Sequence, residues 1–173
     1  MLGAIVSNGV MSTSSTPKVR CETTKGDLLI QLYPDWSPLG AQRFMELVRD
    51  NFYTNIAFYR CVRGFLTQFG ITEDSSKKHW HHNSIQDDVN LHLGIKKNYL
   101  SYAGGGPNTR STQLFIAFED LDFLGHEPWE TPFGNDKHIL LLKSLLCRFH
   151  HTVLNIILTN HIRRGDRRTK HIG

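Results

Sequence analysis

Residues 58–70 read Phe58-Tyr59-Arg60-Cys61-Val62-Arg63-Gly64-Phe65-Leu66-Thr67-Gln68-Phe69-Gly70. Two runs rich in aromatic and β-branched residues, 57–62 and 65–70, are separated by Arg63-Gly64, a composition that favours strands. Period-two alternation puts Phe58, Arg60 and Val62 on one face of the first run. Arg60 in that company has two readings, a guanidinium snorkelling to water along its stem or a cation fixed at a site among aromatics. Gln68 lies in the second run, and Gln113 opens a third strand-like run, 113–118, that carries Leu114 and Phe115. Two amides, several aromatics and one guanidinium suit a neutral extended peptide. Apolar walls take a ring or an aliphatic side chain, while amides pair with the backbone N–H and C=O of the ligand.

The pattern continues on both sides of this stretch. Val19, Cys21 and Thr23 alternate with polar residues, Thr24-Lys25-Gly26-Asp27 supplies turn chemistry, and 28–33 resumes a strand with Leu28, Ile30 and Leu32 on one face. That predicts a β-hairpin. Ser37 followed by Pro38 predicts a helix start with an N-cap and a proline at the first position, and Phe44, Leu47 and Val48 keep helical spacing up to Asp50-Asn51. Residues 71–98 and the loop Gly104-Gly105-Gly106-Pro107-Asn108-Thr109 are long connections, and connections of that length in a compact domain are usually functional. The glycine run lacks the lysine of a phosphate loop and precedes a strand, so it reads as a backbone bend. The predicted class is mainly β, a barrel or sandwich with a few helices closing its ends.

A chain of 173 residues has room for one ordinary domain, and 39% hydrophobic with 21% charged residues is enough apolar content for a core. The most apolar stretch, 139–158, is interrupted by Lys143, Arg148, His150 and His151, which argues against a membrane span. Charge divides the chain: residues 137–173 hold eight Lys and Arg against one Asp, net +7, whereas the preceding residues hold twelve against fifteen, net −3. A basic tail can hold phosphates by counterion release, but Arg163, Arg164, Arg167 and Arg168 have no interleaved aromatics for stacking, and no nucleic-acid partner is expected. Cys21, Cys61 and Cys147 are odd in number and widely spaced, which argues against a disulfide framework and fits a reducing compartment. Leu2 to Val6 is too short for a secretory signal. The expected location is therefore cytoplasmic, with the secretory route as the alternative. His79, His81, His82 and His92 lack a placed thiol or carboxylate partner, and no metal or other cofactor is expected. No G-x-S-x-G elbow, H-E-x-x-H pair or phosphate loop is present, so hydrolase and nucleotide chemistry are not indicated.

Read together, these segments resemble the cyclophilin family of peptidyl-prolyl cis–trans isomerases over roughly Val19 to Gly134. Thr23-Thr24-Lys25-Gly26-Asp27 is similar to the family's opening hairpin turn. Phe58-Tyr59-Arg60-Cys61-Val62 is similar to its Phe-His-Arg-Val strand, and Gly64-Phe65-Leu66-Thr67-Gln68-Phe69-Gly70 to its Gly-Phe-Met-x-Gln-Gly-Gly. Gly106-Pro107-Asn108-Thr109 followed by Ser111-Thr112-Gln113-Leu114-Phe115-Ile116 is the most specific stretch. The resemblance implies a mainly β fold, an antiparallel β-barrel with capping helices and an active groove on its outer face. It implies Xaa–Pro isomerisation during protein folding, on proline-containing peptides or unfolded proteins and without a cofactor. Carried over by position, Arg60 matches the catalytic arginine and Gln68 its supporting glutamine. Phe65, Leu66 and Phe115 match the proline pocket, while Ala103, Gly104 and Gln113 match peptide-gripping positions. Phe123 and Leu124 match the pocket rim, and His126 is aligned with a pocket histidine.

The departures also carry expectations. Tyr59 stands for a histidine, Gly104 for an asparagine and Phe123 for a tryptophan, whose loss implies only weak binding of cyclosporin-type macrocycles. The alignment slips by about two residues before Phe133-Gly134. From Asn135 the family's last strand and helix have no counterpart in sequence, at the same place as the charge shift and as a frame change or retained intron would leave it. The expected organisation is a lead over 1–17, an incomplete cyclophilin-like domain over 18–134 and an unrelated basic, partly helical tail over 135–173, in which Leu142, Leu146, Phe149, Val153 and Ile157 recur at helical spacing. An unclosed barrel would leave 19–24 as a free edge, so the rival to an isomerase is a weak or inactive proline-peptide binder, or an unstable product of the same family.

Overall fold

The computed structural model describes residues 16–139 and 153–157, so most of the expected lead lies outside the described residues. The hairpin is present: β1 (Lys18–Thr23) pairs antiparallel with β2 (Leu28–Leu32), Val19 opposite Ile30 and Cys21 opposite Leu28. Val19, Cys21, Leu28, Ile30 and Leu32 are all buried, as the alternation requires. The helix α1 (Pro38–Arg49) lays Phe44, Leu47 and Val48 on that face.

Ser37 occupies the N-cap position but does not cap with its own side chain. Its hydroxyl donates instead to the Asp88 carboxylate, which also accepts the N–H groups of Leu39 at 2.9 Å and Gly40 at 3.0 Å. A distant acceptor thus satisfies the orphan amides of the first helical turn. The fully buried Arg110 holds Asp87 at 3.1 Å and Asp88 at 3.0 Å, fastening this loop to the helix start.

The remaining strands are β3 (Ile56–Ala57), β4 (Arg60–Val62), β5 (Leu66–Phe69), β6 (Tyr99–Tyr102), β7 (Leu114–Ala117), β8 (Gly134–Asp136) and β9 (Val153–Ile157). With the hairpin they form one nine-stranded sheet in the order β3-β9-β1-β2-β8-β6-β7-β5-β4. Its two end strands, β3 and β4, are separated in the chain by Phe58 and Tyr59 alone, so the sheet curls round as a half-barrel. Phe44, Phe69, Leu100, Tyr102, Leu114 and Phe133 belong to the core it encloses. Short 3-10 helices at Ser75–His82 and Pro128–Glu130 punctuate the loops. Among the described residues no helix is long and apolar enough to cross a membrane.

Three expectations are corrected. Phe58 does not share a face with Arg60: it is buried in the core while Arg60 is exposed, because Phe58 and Tyr59 form the link between two strands and alternation does not carry through it. The edge of β1 is not free, because β9 pairs with it antiparallel, Cys21 opposite Ile156, and with β3, Ile56 opposite Leu154. Val153 and Ile157 are therefore in a strand. A spacing of four is even, so it satisfies the strand period as well as the helical one; Leu142, Leu146 and Phe149 lie outside the described residues. Finally, Cys21 is a buried free thiol but Cys61 is disulfide-bonded, so the odd count did not exclude pairing.

Candidate active site on the outer face of the sheet

Strands β4, β5, β7 and β6 lie side by side, and their alternation builds two cores from one sheet. On β7, Leu114 and Ile116 enter the enclosed core, whereas Phe115 and Ala117 join a second apolar cluster with Leu66, Ile95 and Leu121 on the other face. On β5, Phe69 points into the enclosed core and Leu66 into the outer cluster. Register then sets Arg60 opposite Gln68, Gln68 opposite Phe115, and Phe115 opposite Ser101. These residues form one transverse row across four strands, each step about 4.8 Å.

Within this row the guanidinium of Arg60 is fixed. Its Nη1 donates to Gln68 Oε1 at 3.0 Å, and its carbon lies 5.7 Å from the centroid of the Phe65 ring, within cation–π range. Phe65 in turn meets Phe123 at 5.6 Å between centroids, and Phe123 is 67% exposed, an unusual position for so apolar a ring. Leu66 and Phe115 are buried beneath, and Leu124 and Ala103 pack against the same cluster. The Ala103 N–H donates to the Gln113 carbonyl at 2.9 Å, and the Gln113 side chain accepts from the Tyr59 hydroxyl at 2.9 Å. Arg60, Phe65, Leu66, Gln68, Ala103, Gln113, Phe115, Phe123 and Leu124 are thus brought to one patch.

Gly104 stands at the end of this patch beside Trp129, whose Cβ and Cδ1 would each lie 3.3 Å from a Cβ at position 104. His126 is not brought into the apolar cluster. It lies in an exposed turn, its ring Nε2 donating to the Asp122 carbonyl at 2.7 Å, with the Glu130 carboxylate accepting the N–H groups of Gly125 at 2.8 Å and His126 at 3.1 Å. Among the described residues no group of His, Cys, Asp and Glu is arranged to hold a metal ion.

Two residues that the sequence does not single out as site residues belong to this geometry: Tyr59, named above only as standing for a histidine, and Trp129. Tyr59 is adjacent to Arg60, and strict alternation would send it to the opposite face; it reaches Gln113 because it precedes β4. Burial raises its phenol pKa although the Arg60 charge opposes this, so the hydroxyl stays protonated at neutral pH. Trp129 lies in the short 3-10 turn Pro128–Glu130, in the stretch before Phe133-Gly134 where the alignment slips. Pro128, at the first helical position between Glu127 and Glu130, was the available signal.

Comparison with known proteins follows the same stretch. Peptidyl-prolyl isomerase CWC27 of Yarrowia lipolytica is 30% identical over 122 residues, covering 66% of this chain and 34% of its own length. Peptidyl-prolyl cis-trans isomerase CYP18-2 of Arabidopsis thaliana is 32% identical over 105 residues, covering 59% of this chain and 64% of its own length. The chain thus spans less than two-thirds of either relative. In fold, the crystal structure of a Cryptosporidium parvum cyclophilin type peptidyl-prolyl cis-trans isomerase superposes with a TM-score of 0.69 at 22% identity, covering 85% of this chain and 99% of that one. The model of the family described as cyclophilin type peptidyl-prolyl cis-trans isomerase/CLD matches residues 18–139. With the motif order, the outer-face row and this match agreeing, the chain belongs to the cyclophilin-type peptidyl-prolyl cis–trans isomerase family.

Proposed function

We propose that the chain catalyses cis–trans isomerisation of Xaa–Pro peptide bonds in proline-containing peptides and unfolded proteins. The observation that carries this reading is the row Arg60–Gln68–Phe115, a held guanidinium in register with a buried aromatic floor. Rotation about the bond is opposed by roughly 18–20 kcal/mol of amide resonance. As the bond twists, the prolyl nitrogen pyramidalises and its lone pair becomes a hydrogen-bond acceptor. An N–H from Arg60 placed there interacts chiefly with the twisted form, and such differential binding is what raises rate. Gln68 holds Arg60 ready, so little reorganisation is needed at the moment of reaction. Phe65, Leu66 and Phe115 hold the pyrrolidine; Ala103, Gly104 and Gln113 grip the backbone; Phe123 and Leu124 form the rim, with His126 outside it.

A related Cryptosporidium parvum structure was determined in the presence of the dipeptide Ala-Pro, which supports short proline peptides as ligands for this chain. Phe123 brings no indole N–H to the rim, so binding of cyclosporin-type macrocycles is weak in this reading. The isomerase unit is residues 18–134 with the tail strand completing its sheet, and the β1–β9 pairing favours a folded enzyme over an unstable product. A cytoplasmic location is proposed against one opposing observation, the disulfide at Cys61, which oxidising compartments sustain.

The test is a proline-limited refolding assay with the intact chain. Arg60→Ala is expected to lower kcat/KM by about 10²-fold, the worth of one transition-state donor. Near-normal activity in that variant would remove Arg60 from the role, whereas absence of activity in the wild-type chain would leave the binding-module reading.

A further inference from the structure

Tyr59 is not explained by packing alone: 40% of it is exposed, yet its hydroxyl is committed to Gln113 Oε1 at 2.9 Å. A primary amide has two unlike ends, an acceptor oxygen and a donor nitrogen. With the oxygen turned to Tyr59, the nitrogen is the end left for a ligand. Gln68 is turned in the same sense, its oxygen taken by Arg60 Nη1 at 3.0 Å. Neither amide nitrogen has a partner among the described residues. A guanidinium has no acceptor at all. The polar edge made by Arg60, Gln68 and Gln113 therefore presents N–H groups to whatever lies on the apolar floor.

That polarity has a chemical match. Proline has a carbonyl but no backbone N–H, so a segment containing it offers more acceptors than donors. An edge of donors pairs with such a segment without leaving a buried N–H unsatisfied, whereas an edge presenting amide oxygens would leave those oxygens unpaired, at a cost in binding.

We infer that Tyr59 is a positioning residue that turns the Gln113 amide so that its N–H groups face the groove and select the carbonyl oxygens of an Xaa–Pro peptide. This rests on the proposed isomerase reading and adds a specificity determinant to it. Tyr59 itself does not touch the reacting bond. Its effect belongs to ground-state and transition-state binding alike, and so to KM.

The experiment is a double-mutant cycle on the intact chain with the tetrapeptide Ala-Ala-Pro-Phe. Tyr59→Phe keeps the ring and removes only the hydroxyl. KM is expected to rise roughly three- to tenfold, the worth of one neutral hydrogen bond, with kcat within about twofold, as expected for loss of uniform binding. In a Gln113→Ala background the same substitution is expected to change nothing, because the group through which Tyr59 acts is gone. An equal effect in both backgrounds, or a fall in kcat with KM unchanged, overturns the proposal. The side-chain amide resonances of Gln113 in a ¹⁵N-labelled sample provide a readout independent of turnover. They should shift in Tyr59→Phe, and peptide affinity measured by titration in the same spectra should fall by the same factor. If the wild-type chain does not isomerise, the functional reading fails while these resonances still decide the role of Tyr59; unmoved resonances with unchanged affinity reject it.

Discussion

Gly70 follows β5 with a φ of 105°, and a Cβ there would stand 2.2 Å from the Thr112 carbonyl oxygen. Both facts require glycine, since the first is a backbone region that other residues rarely adopt and the second is a steric overlap. The approach is tight because Thr112 is held from two sides: its hydroxyl donates to the Gly70 carbonyl at 3.0 Å and its carbonyl accepts from Tyr53 at 3.1 Å. Gln113 is the next residue, so this contact sets the height of Gln113 over the groove. Gly70→Ala is expected to cost about 3 kcal/mol, the upper range for a strained backbone position, read as a lower urea midpoint. Surviving folded enzyme should show a raised KM for the tetrapeptide. A variant with wild-type stability and kinetics would mean that strand β5 and the 112–113 segment can part freely. In the sequence Gly70 is visible only as the end of an aromatic run, because the atom it must avoid belongs to a segment some forty residues away.

The start of α1 shows how far a local signal reaches. Ser37-Pro38 placed the helix boundary correctly, because the proline geometry is a property of two neighbouring residues. What satisfies the helix amides was not legible, because Asp88 arrives from a loop whose path depends on Arg110, and no periodicity links the three positions. Burial pushes the Asp88 carboxyl up, but bonds from Ser37, the Leu39 and Gly40 amides and Arg110 outweigh it and hold the group below its ordinary value. An unfolded aspartate titrates near ~3.9. The stabilisation from this site is therefore complete above that pH and is lost as pH falls through the lower folded value. Asp88→Asn is expected to destabilise the chain by about 3 kcal/mol at pH 7, since removing one partner leaves the buried Arg110 charge with Asp87 alone. The difference from wild type should shrink in urea unfolding as pH falls through the lowered folded value of Asp88, where both side chains become uncharged. A gap that persists unchanged at low pH would show that shape, not charge, is what Asp88 contributes.

Across the whole molecule, one sheet serves two cores. The inner one is legible in part, since Val19, Ile30 and Phe44 fall on predicted strand and helix faces; the outer one becomes legible only with the register that aligns Arg60, Gln68 and Phe115. The curl that brings β3 and β4 to opposite ends of the sheet depends on β9, the one strand between β3 and β1. Sequence reading missed it because its motif is absent and its apolar spacing fits two periods at once. Asp136 fixes the neighbouring edge, accepting the Leu29 amide at 2.8 Å, but among the described residues the β1 side has backbone pairing with β9 alone beyond the hairpin. Ile156→Pro removes a donor from a strand paired on both sides, where proline is not tolerated. The cost is expected to be about 3 kcal/mol, which for a domain of this size is a fall of roughly 10 °C in Tm. Because the lost pairing reopens a flat edge at β1, the variant should also associate in a concentration-dependent way, seen by light scattering before thermal unfolding begins. Arg60 lies on β4, next to the junction with β3, so isomerase activity should decline together with the folded fraction. Unchanged Tm, scattering and activity in Ile156→Pro would show that the sheet holds its curl without β9 and that the tail contributes nothing to the active unit.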